Sequence, residues 1–161
     1  MSKAAQDKNM AVQLLEMIEN LKSDNKEKRL ESARQLQNIA SALGPDRSRM
    51  ELLPYIRQLI DDEEEVLVII VQQLGKMLDQ VGGPTYAFDL LKVLECFCTV
   101  DEMSTREAAT ESMKQILQSV RLKDQEVDIM NLIERLHTSG NSTTKYSAVN
   151  LIPFVYTYCS V

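Results

Sequence analysis

Apolar positions follow a helical period on both sides of a short acidic turn in the first half of the chain. Before the turn, Leu52, Tyr55 and Leu59 recur at spacings of three and four residues, which predicts an amphipathic helix. The acidic run at residues 61–65 interrupts this pattern. Residues 66–78 are apolar on most sides, which predicts a second helix that is buried on more than one face. The structural unit predicted here is therefore a helical hairpin.

The helical hairpin repeats at a nearly constant interval. Asp24, Asp62, Asp101 and Gly140 occupy the same position in four successive copies, and they are 38, 39 and 39 residues apart. Three other positions of the repeat read as follows: Met17, Tyr55, Leu94 and Ile133; Leu36, Leu74, Met113 and Ile152; Arg29, Leu67, Arg106 and Lys145. Because the first two of these stay apolar in every copy, they predict a continuous core. A period of about 39 residues with paired helices is typical of α-solenoids of the HEAT or armadillo kind.

The predicted fold is an all-α superhelix of about four HEAT repeats. We place the repeats at about residues 10–44, 45–83, 84–122 and 123–161, and we expect a flexible N-terminus over residues 1–9. In the last repeat the predicted buried stripe of the first helix is Val127, Met130, Ile133 and Leu136. The second helix carries an apolar face suited to stacking, made of Leu151, Ile152, Val155 and Tyr156. We therefore expect the array to be the beginning of a longer solenoid.

Glycine and proline mark the ends of the hairpins. Gly44-Pro45 and Gly83-Pro84 are 39 residues apart, so the signals that end a helix repeat together with the helices. Pro54 falls inside a predicted helix, where its missing N–H and its ring are expected to bend or delay that helix.

Composition and charge exclude several classes of function. The 161 residues carry a net charge of −6, which is unsuited to binding a nucleic-acid backbone. No apolar run approaches the length of about 20 residues that a membrane span requires, so no membrane association is expected. The three cysteines, Cys96, Cys98 and Cys159, are odd in number and lie in helical patterns. Reduced thiols are therefore expected, in the cytoplasm or the nucleus.

No arrangement of residues predicts catalysis, a metal or a cofactor. His137 is the only histidine and has no cysteine or paired carboxylates near it in sequence. Cys96 and Cys98, two residues apart on a helix, point to different faces. The glycines at residues 82–83 lack the lysine and hydroxyl residue of a phosphate-binding loop. The sequence therefore favours a protein that is not an enzyme.

The acidic turns are the most distinctive surface feature of the sequence. Asp24, Asp62 and Asp101 are predicted to cap the second helices, because a carboxylate accepts hydrogen bonds from the first N–H groups of a helix. Glu65 completes a capping-box-like pair with Asp62, whereas capping does not require Asp61, Glu63 and Glu64. In a stacked solenoid all the turns within repeats lie along one edge, where they would form an acidic ridge. The charge leaves two interpretations open, a surface that binds a basic partner and a surface that only confers solubility.

Several strings of the sequence resemble one family of HEAT-repeat proteins. They are ALG-x-x-R-x-R-x-ELLP at residues 42–54, the acidic turn leading into residues 65–67, QLG…VGGP at residues 73–84, and the TV-acidic-acidic turn at residues 99–102. Over about residues 10–118 the sequence resembles, in register, the N-terminal repeats of the scaffold (A, or 65-kDa regulatory) subunit of type 2A protein phosphatase.

The resemblance implies a non-catalytic scaffold that binds other proteins. In that family regulatory B-type subunits dock on the turns within the N-terminal repeats, and the catalytic subunit docks on C-terminal repeats that this sequence lacks. The docking residues that the resemblance implies are Asp61, Asp62, Glu63, Glu64, Val100, Asp101 and Glu102. The fourth turn of the family presents a tryptophan after an acidic residue, whereas this sequence has Gly140-Asn141-Ser142.

Two other functions remain open from the sequence. One is a different HEAT-repeat adaptor, such as a transport receptor, which would accept a basic protein on its inner helices rather than on its turns. The other is an enzyme domain, which the absence of a nucleophile, a metal cluster and a phosphate loop disfavours.

Overall fold

The computed structural model describes residues 3–120 and 125–158, with side chains from residue 12 to residue 157 within those ranges. The helices are α1 (Lys3–Asn20), α2 (Lys26–Arg34), α3 (Leu36–Leu43), α4 (Pro45–Arg47), α5 (Leu53–Ile56), α6 (Glu64–Leu74), α7 (Ala87–Phe97), α8 (Met103–Gln118), α9 (Glu126–Thr138) and α10 (Ser142–Tyr158). A π-helical turn covers Ser48–Leu52, and 3₁₀ turns cover Arg57–Leu59 and Pro84–Tyr86. These described residues include no β-strand, and the predicted all-α solenoid is confirmed.

The helices form two layers because each hairpin stacks on the next. The second helices α2, α6, α8 and α10 pack against one another in that order, while α7 packs on both α5 and its own partner α8. The helices α9 and α10 form the last hairpin. The predicted core position of Leu36, Leu74 and Met113 is fully buried in these three copies. A position that repeats about every 39 residues is therefore buried by the same type of neighbour in each of these copies.

The helix-breaking residues Gly44, Pro54 and Gly83 act at their predicted positions, whereas Pro153 lies inside α10 without ending it. The segment before the second turn is divided into α4, a π-helical turn, α5 and a 3₁₀ turn, and Pro54 lies at the start of α5. Gly44 and Gly83 both have positive φ, 81° and 86°, with an extended ψ. Only glycine adopts this combination readily, so it allows the chain to reverse direction between hairpins.

Some helix limits differ from those predicted. The helix α1 begins at Lys3 rather than at Met10, and α6 ends at Leu74 rather than at residue 78. The prediction of a flexible segment over residues 1–9 stays a prediction. Gly75, directly after α6, lies close to α8, because a Cβ added there would stand 2.8 Å from the Cβ of Ser112. The absence of a side chain at this position therefore allows the close approach of α6 to α8.

The buried stripe of α9 differs from the predicted one. Ile133 and Leu136 are buried as predicted, but Val127 and Met130 are 73% and 52% exposed. Ile129 and Leu132 take their place in the core. The prediction was wrong at Val127 and Met130 because the spacing of apolar residues on α9 allowed more than one stripe, and α9 packs on α10 through the side that carries Ile129 and Leu132.

The second helix of the last hairpin shows the same one-sided burial. Leu151 and Val155 are buried, whereas Ile152 and Tyr156 are 45% and 76% exposed. The residues one repeat earlier, Met113 and Leu117, are buried. Half of the predicted stacking face therefore lies in the core of the last hairpin, and the other half is exposed.

Candidate docking ridge

The turns within hairpins lie along one edge of the solenoid. Turn 1 comprises residues 21–25, turn 2 residues 60–63, turn 3 residues 98–102 and turn 4 residues 139–141. One cleft is lined by residues of turns 1 and 2, and another by residues of turns 2 and 3. Because α8 and α10, which follow turns 3 and 4, pack together, the series continues to turn 4. We call this edge the turn ridge.

Most of the predicted docking residues line one cleft. The cleft between turns 2 and 3 has a volume of about 410 Å³ and is lined by Ile60, Asp61, Asp62, Thr99, Val100, Asp101 and Glu102. Five of the seven predicted residues are among them, and Glu63 and Glu64 lie outside it. The cleft is therefore lined by four acidic residues and no basic one, and it is suited to a positively charged group.

Three of these acidic residues are unpaired. Asp61 and Asp101 are exposed and Glu102 is half-buried. Among the residues that the structure describes, none of these three carboxylates lies within 4.0 Å of a basic side chain. Their negative charge is therefore available to an incoming cation, although solvent screening limits what each contributes by itself.

Asp62, in contrast, is engaged within the fold. Its two carboxylate oxygens accept hydrogen bonds from Nε of Arg29 at 3.0 and 3.1 Å. Arg29 also donates from Nη1 to the carbonyl of Ser23 at 2.8 Å and from Nη2 to Glu63 at 2.8 Å. The guanidinium of Arg29 thus joins turn 1 to turn 2, and the side chains of Arg29 and Asp62 are only 13% and 11% exposed.

The predicted capping role of the aspartates is wrong. The residue that caps α2 is Asn25, whose Oδ1 accepts from the N–H groups of Glu27 and Lys28, rather than Asp24. The residues directly before α6 and α8 are Glu63 and Glu102, and neither side chain makes a capping bond. At turn 2 the physical reason is the arginine of the preceding hairpin, which holds the carboxylate of Asp62.

Glu63 and Glu65 are bridged by a lysine from the first hairpin. Nζ of Lys26 lies 3.0 Å from Glu63 and 2.7 Å from Glu65. Hydrogen bonding to Lys26 lowers the pKa of Glu63, and bonding first to Glu65 and then to Glu63 raises the pKa of Lys26. Glu64, the remaining acidic residue of the run, accepts a hydrogen bond from Ser104. Part of the acidic run therefore serves contacts between neighbouring hairpins.

Two residues at turn 3 differ in role from the sequence analysis. Val100 is buried, and its carbonyl accepts from Nη1 of Arg106 at 2.8 Å, so it supports the turn from inside. Met103, which the sequence analysis did not select, is 54% exposed at the start of α8. An apolar residue directly after an acidic pair was visible in the sequence, but only the structure shows that it lies outside the core.

The described residues bring no metal-binding group together. His137 is exposed near the end of α9. No group of three or more histidine, cysteine, aspartate or glutamate residues in the described ranges could hold a metal ion. None of the described helices is both long and apolar enough to cross a membrane.

Cys98 is expected to be unreactive in the folded protein. Burial raises the pKa of its thiol to about 12, so it stays protonated at pH 8, whereas Cys96 is only half-buried. With iodoacetamide at pH 8, followed by peptide mass mapping, we expect labelling of Cys96 and essentially none of Cys98 until denaturant is added. Equal labelling rates for the two thiols in the native protein would contradict this burial.

The stacked helical hairpins define the class of the protein: an α-solenoid of HEAT repeats. No model of a known protein family matches the chain. It is 38% identical to the Saccharomyces cerevisiae regulatory A subunit of protein phosphatase PP2A over 140 residues, which are 86% of this chain and 22% of that protein. It is 36% identical to the Drosophila melanogaster "Serine/threonine-protein phosphatase PP2A 65 kDa regulatory subunit" over 140 residues. These residues are 87% of this chain and 24% of that protein. With the human A beta isoform of the 65 kDa regulatory subunit of serine/threonine-protein phosphatase 2A, the identity is 39% over 140 residues, which are 87% of this chain and 23% of that protein.

The chain is therefore homologous to a segment of the 65-kDa regulatory (A) subunit of PP2A. It spans about a quarter of the length of these relatives. The resemblance inferred from the sequence is confirmed.

Proposed function

We propose that the chain is a non-catalytic scaffold segment that docks a regulatory B-type subunit of a type 2A phosphatase on its turn ridge. The observation that carries the proposal is the cleft between turns 2 and 3, into which the fold gathers Asp61, Asp101 and Glu102 as unpaired acidic groups. The names of the relatives, which describe a regulatory subunit of this phosphatase, support the same function.

The proposed mechanism is positioning rather than chemistry. The stacked hairpins hold turns 2 and 3 at a fixed separation, and a lysine or arginine of the regulatory subunit enters the cleft between them. Opposite charges speed the encounter and fix the orientation of the partner, while apolar contact at the exposed Met103 adds to the contact area. The catalytic subunit binds to repeats outside this chain, and substrate reaches it past the docked regulatory subunit.

A direct binding measurement tests this function. The chain is immobilised and exposed to a purified regulatory B-type subunit, to the purified catalytic subunit, and to a basic transport cargo. We expect only the regulatory subunit to bind, with an affinity that falls as salt rises from about 50 to 500 mM, because exposed charges are screened over a Debye length of about 10 Å at 0.1 M. Binding of the basic cargo with no regulatory subunit bound would instead identify a transport adaptor.

A further inference from the structure

Arg106 occupies the same position in the third hairpin that Arg29 occupies in the first. Arg29 donates from Nη1 to the carbonyls of Ser23 and Asp24 at 2.8 and 3.3 Å. Arg106 donates from Nη1 to the carbonyls of Val100 and Asp101, the equivalent residues of turn 3, at 2.8 and 2.6 Å. Both arginines therefore fasten their own turn in the same way.

The two arginines differ in the hydrogen-bond acceptors that the following turn provides. Nε and Nη2 of Arg29 reach Asp62 and Glu63 in turn 2. One period after turn 3 the equivalent residues are Gly140 and Asn141, which carry no charge. The Oδ1 of Asn141 is already engaged, because it accepts from the N–H of Thr143 at 3.1 Å. Turn 4 thus lacks the carboxylates that Arg29 finds in turn 2.

The result is a buried cation without its anion. Arg106 is only 7% exposed, and its Nε is buried with no hydrogen-bond partner among the described residues. A buried, unpaired donor of a charged group is costly, so this position favours an incoming anion. Turn 4 places no side chain of its own at this position, and a Cβ added at Gly140 would meet no atom within 4 Å.

We propose that the open space at Gly140 receives a carboxylate side chain, aspartate or glutamate, of the protein that docks on the turn ridge, and that Arg106 is its partner. This inference rests on the proposed docking function. Lys145, at the arginine position of the last hairpin, is exposed and adds a second positive charge beside turn 4. Along the ridge, the unpaired acidic groups at turns 2 and 3 are thus followed by two positive charges, the buried guanidinium of Arg106 behind turn 3 and the exposed Lys145 beside turn 4.

This order of charges predicts the arrangement of charged groups on the partner. A basic group of the partner faces Asp61 and Asp101, and an acidic group of the same partner, one repeat further along, reaches Arg106. A partner docked in the reverse direction would place like charges together, which costs binding energy. The arrangement therefore sets one orientation and one register on the ridge.

The variants Gly140→Asp and Gly140→Asn test this site as a matched pair. Gly140→Asp supplies the missing carboxylate from within the chain, whereas Gly140→Asn has nearly the same shape and no charge. We expect Gly140→Asp to raise the Tm by about 3 °C or more, the shift that one restored charged hydrogen bond gives in a chain of this size. We also expect it to weaken binding of the regulatory subunit by about tenfold or more, since the place of the partner's carboxylate is taken. Gly140→Asn is expected to leave the Tm near that of the wild type and the affinity within about twofold.

The outcomes separate this inference from the docking function. If a regulatory subunit binds the wild-type chain and binds the two variants equally, no carboxylate enters at Gly140, and the inference fails while the docking function stands. If the wild-type chain binds no regulatory subunit, the docking function fails and the inference fails with it. If sodium acetate raises the Tm of the wild type above that in sodium chloride of equal ionic strength, and Gly140→Asp does not affect binding, the site takes only a small free anion and the inference is overturned.

Discussion

Replacing Asp61 and Asp101 together by lysine is expected to weaken binding of a regulatory B-type subunit by about 100-fold. Each reversal turns an attraction for a basic group into a repulsion within the same cleft, and a tenfold loss of affinity for each corresponds to about 1.4 kcal/mol. The helices should be unaffected, because both residues are exposed and neither makes a capping bond. Titration calorimetry or surface plasmon resonance at about 0.1 M salt measures the loss.

The control for this double reversal is a second pair with the same change in net charge. Glu16 and Glu107 are exposed on α1 and α8, and neither lines the clefts between turns. Their replacement by lysine should change the affinity no more than about twofold, through long-range charge alone. If both double variants lose affinity equally, overall charge rather than the ridge governs binding, and the docking surface lies elsewhere.

The fold could be predicted because the same apolar and glycine positions recur in successive repeats of the sequence. A single position such as Leu74 is compatible with many helical folds, but Leu36, Leu74 and Met113 at nearly equal spacing require an environment that also repeats. Glycines with positive φ at Gly44 and Gly83 repeat for the same reason. Stacking of identical units is the architecture that satisfies this pattern.

The contacts between hairpins could not be predicted by reasoning from adjacent residues. Asp62 follows a helix and precedes another, so its local sequence indicates a cap. Its actual partner is Arg29, 33 residues earlier, which approaches only because α2 packs against α6. The position that reads Arg29, Leu67, Arg106 and Lys145 was visible in the sequence. The hydrogen bonds that this position makes to the neighbouring turn could be identified only from the structure.

The docking residues were selected by their place on turns, and the structure distinguishes among them. Asp61 and Asp101 are exposed and unpaired within the described part of the chain, while Asp62 and Glu63 contact basic residues of the preceding hairpin. An acidic residue identified in the sequence can therefore be paired within the fold, and only an unpaired one is free to bind a basic group of a partner. This difference is why the charge reversal changes Asp61 and Asp101 and leaves Asp62 intact.

Replacing Asp62 by asparagine is expected to destabilise the chain by about 2 kcal/mol. Removing one member of a fully buried ion pair costs about 3–5 kcal/mol. The expected loss is smaller here because Arg29 and Asp62 keep 13% and 11% exposure and Glu63 still accepts a bond from Arg29. Asparagine keeps the oxygen that accepts from the N–H of Glu63, and it replaces Oδ2, which accepts from Nε of Arg29, with an NH2 group that cannot accept. Chemical denaturation monitored by circular dichroism measures the loss.

The neighbouring residue provides the control for Asp62→Asn. Asp61→Asn removes a charge from the same turn, but Asp61 is exposed and unpaired in the described structure, so the expected change stays within about 0.5 kcal/mol. A double-mutant cycle with Arg29→Gln should show that Asp62→Asn costs much less once the guanidinium is gone. Equal effects of the two aspartate variants would mean that the pair adds nothing to stability.

In a solenoid, stability is a sum over neighbouring repeats. A large effect at Asp62 alone would therefore show that the arginine bridge between turns 1 and 2 fixes the first two hairpins against each other, and with them the start of the docking ridge.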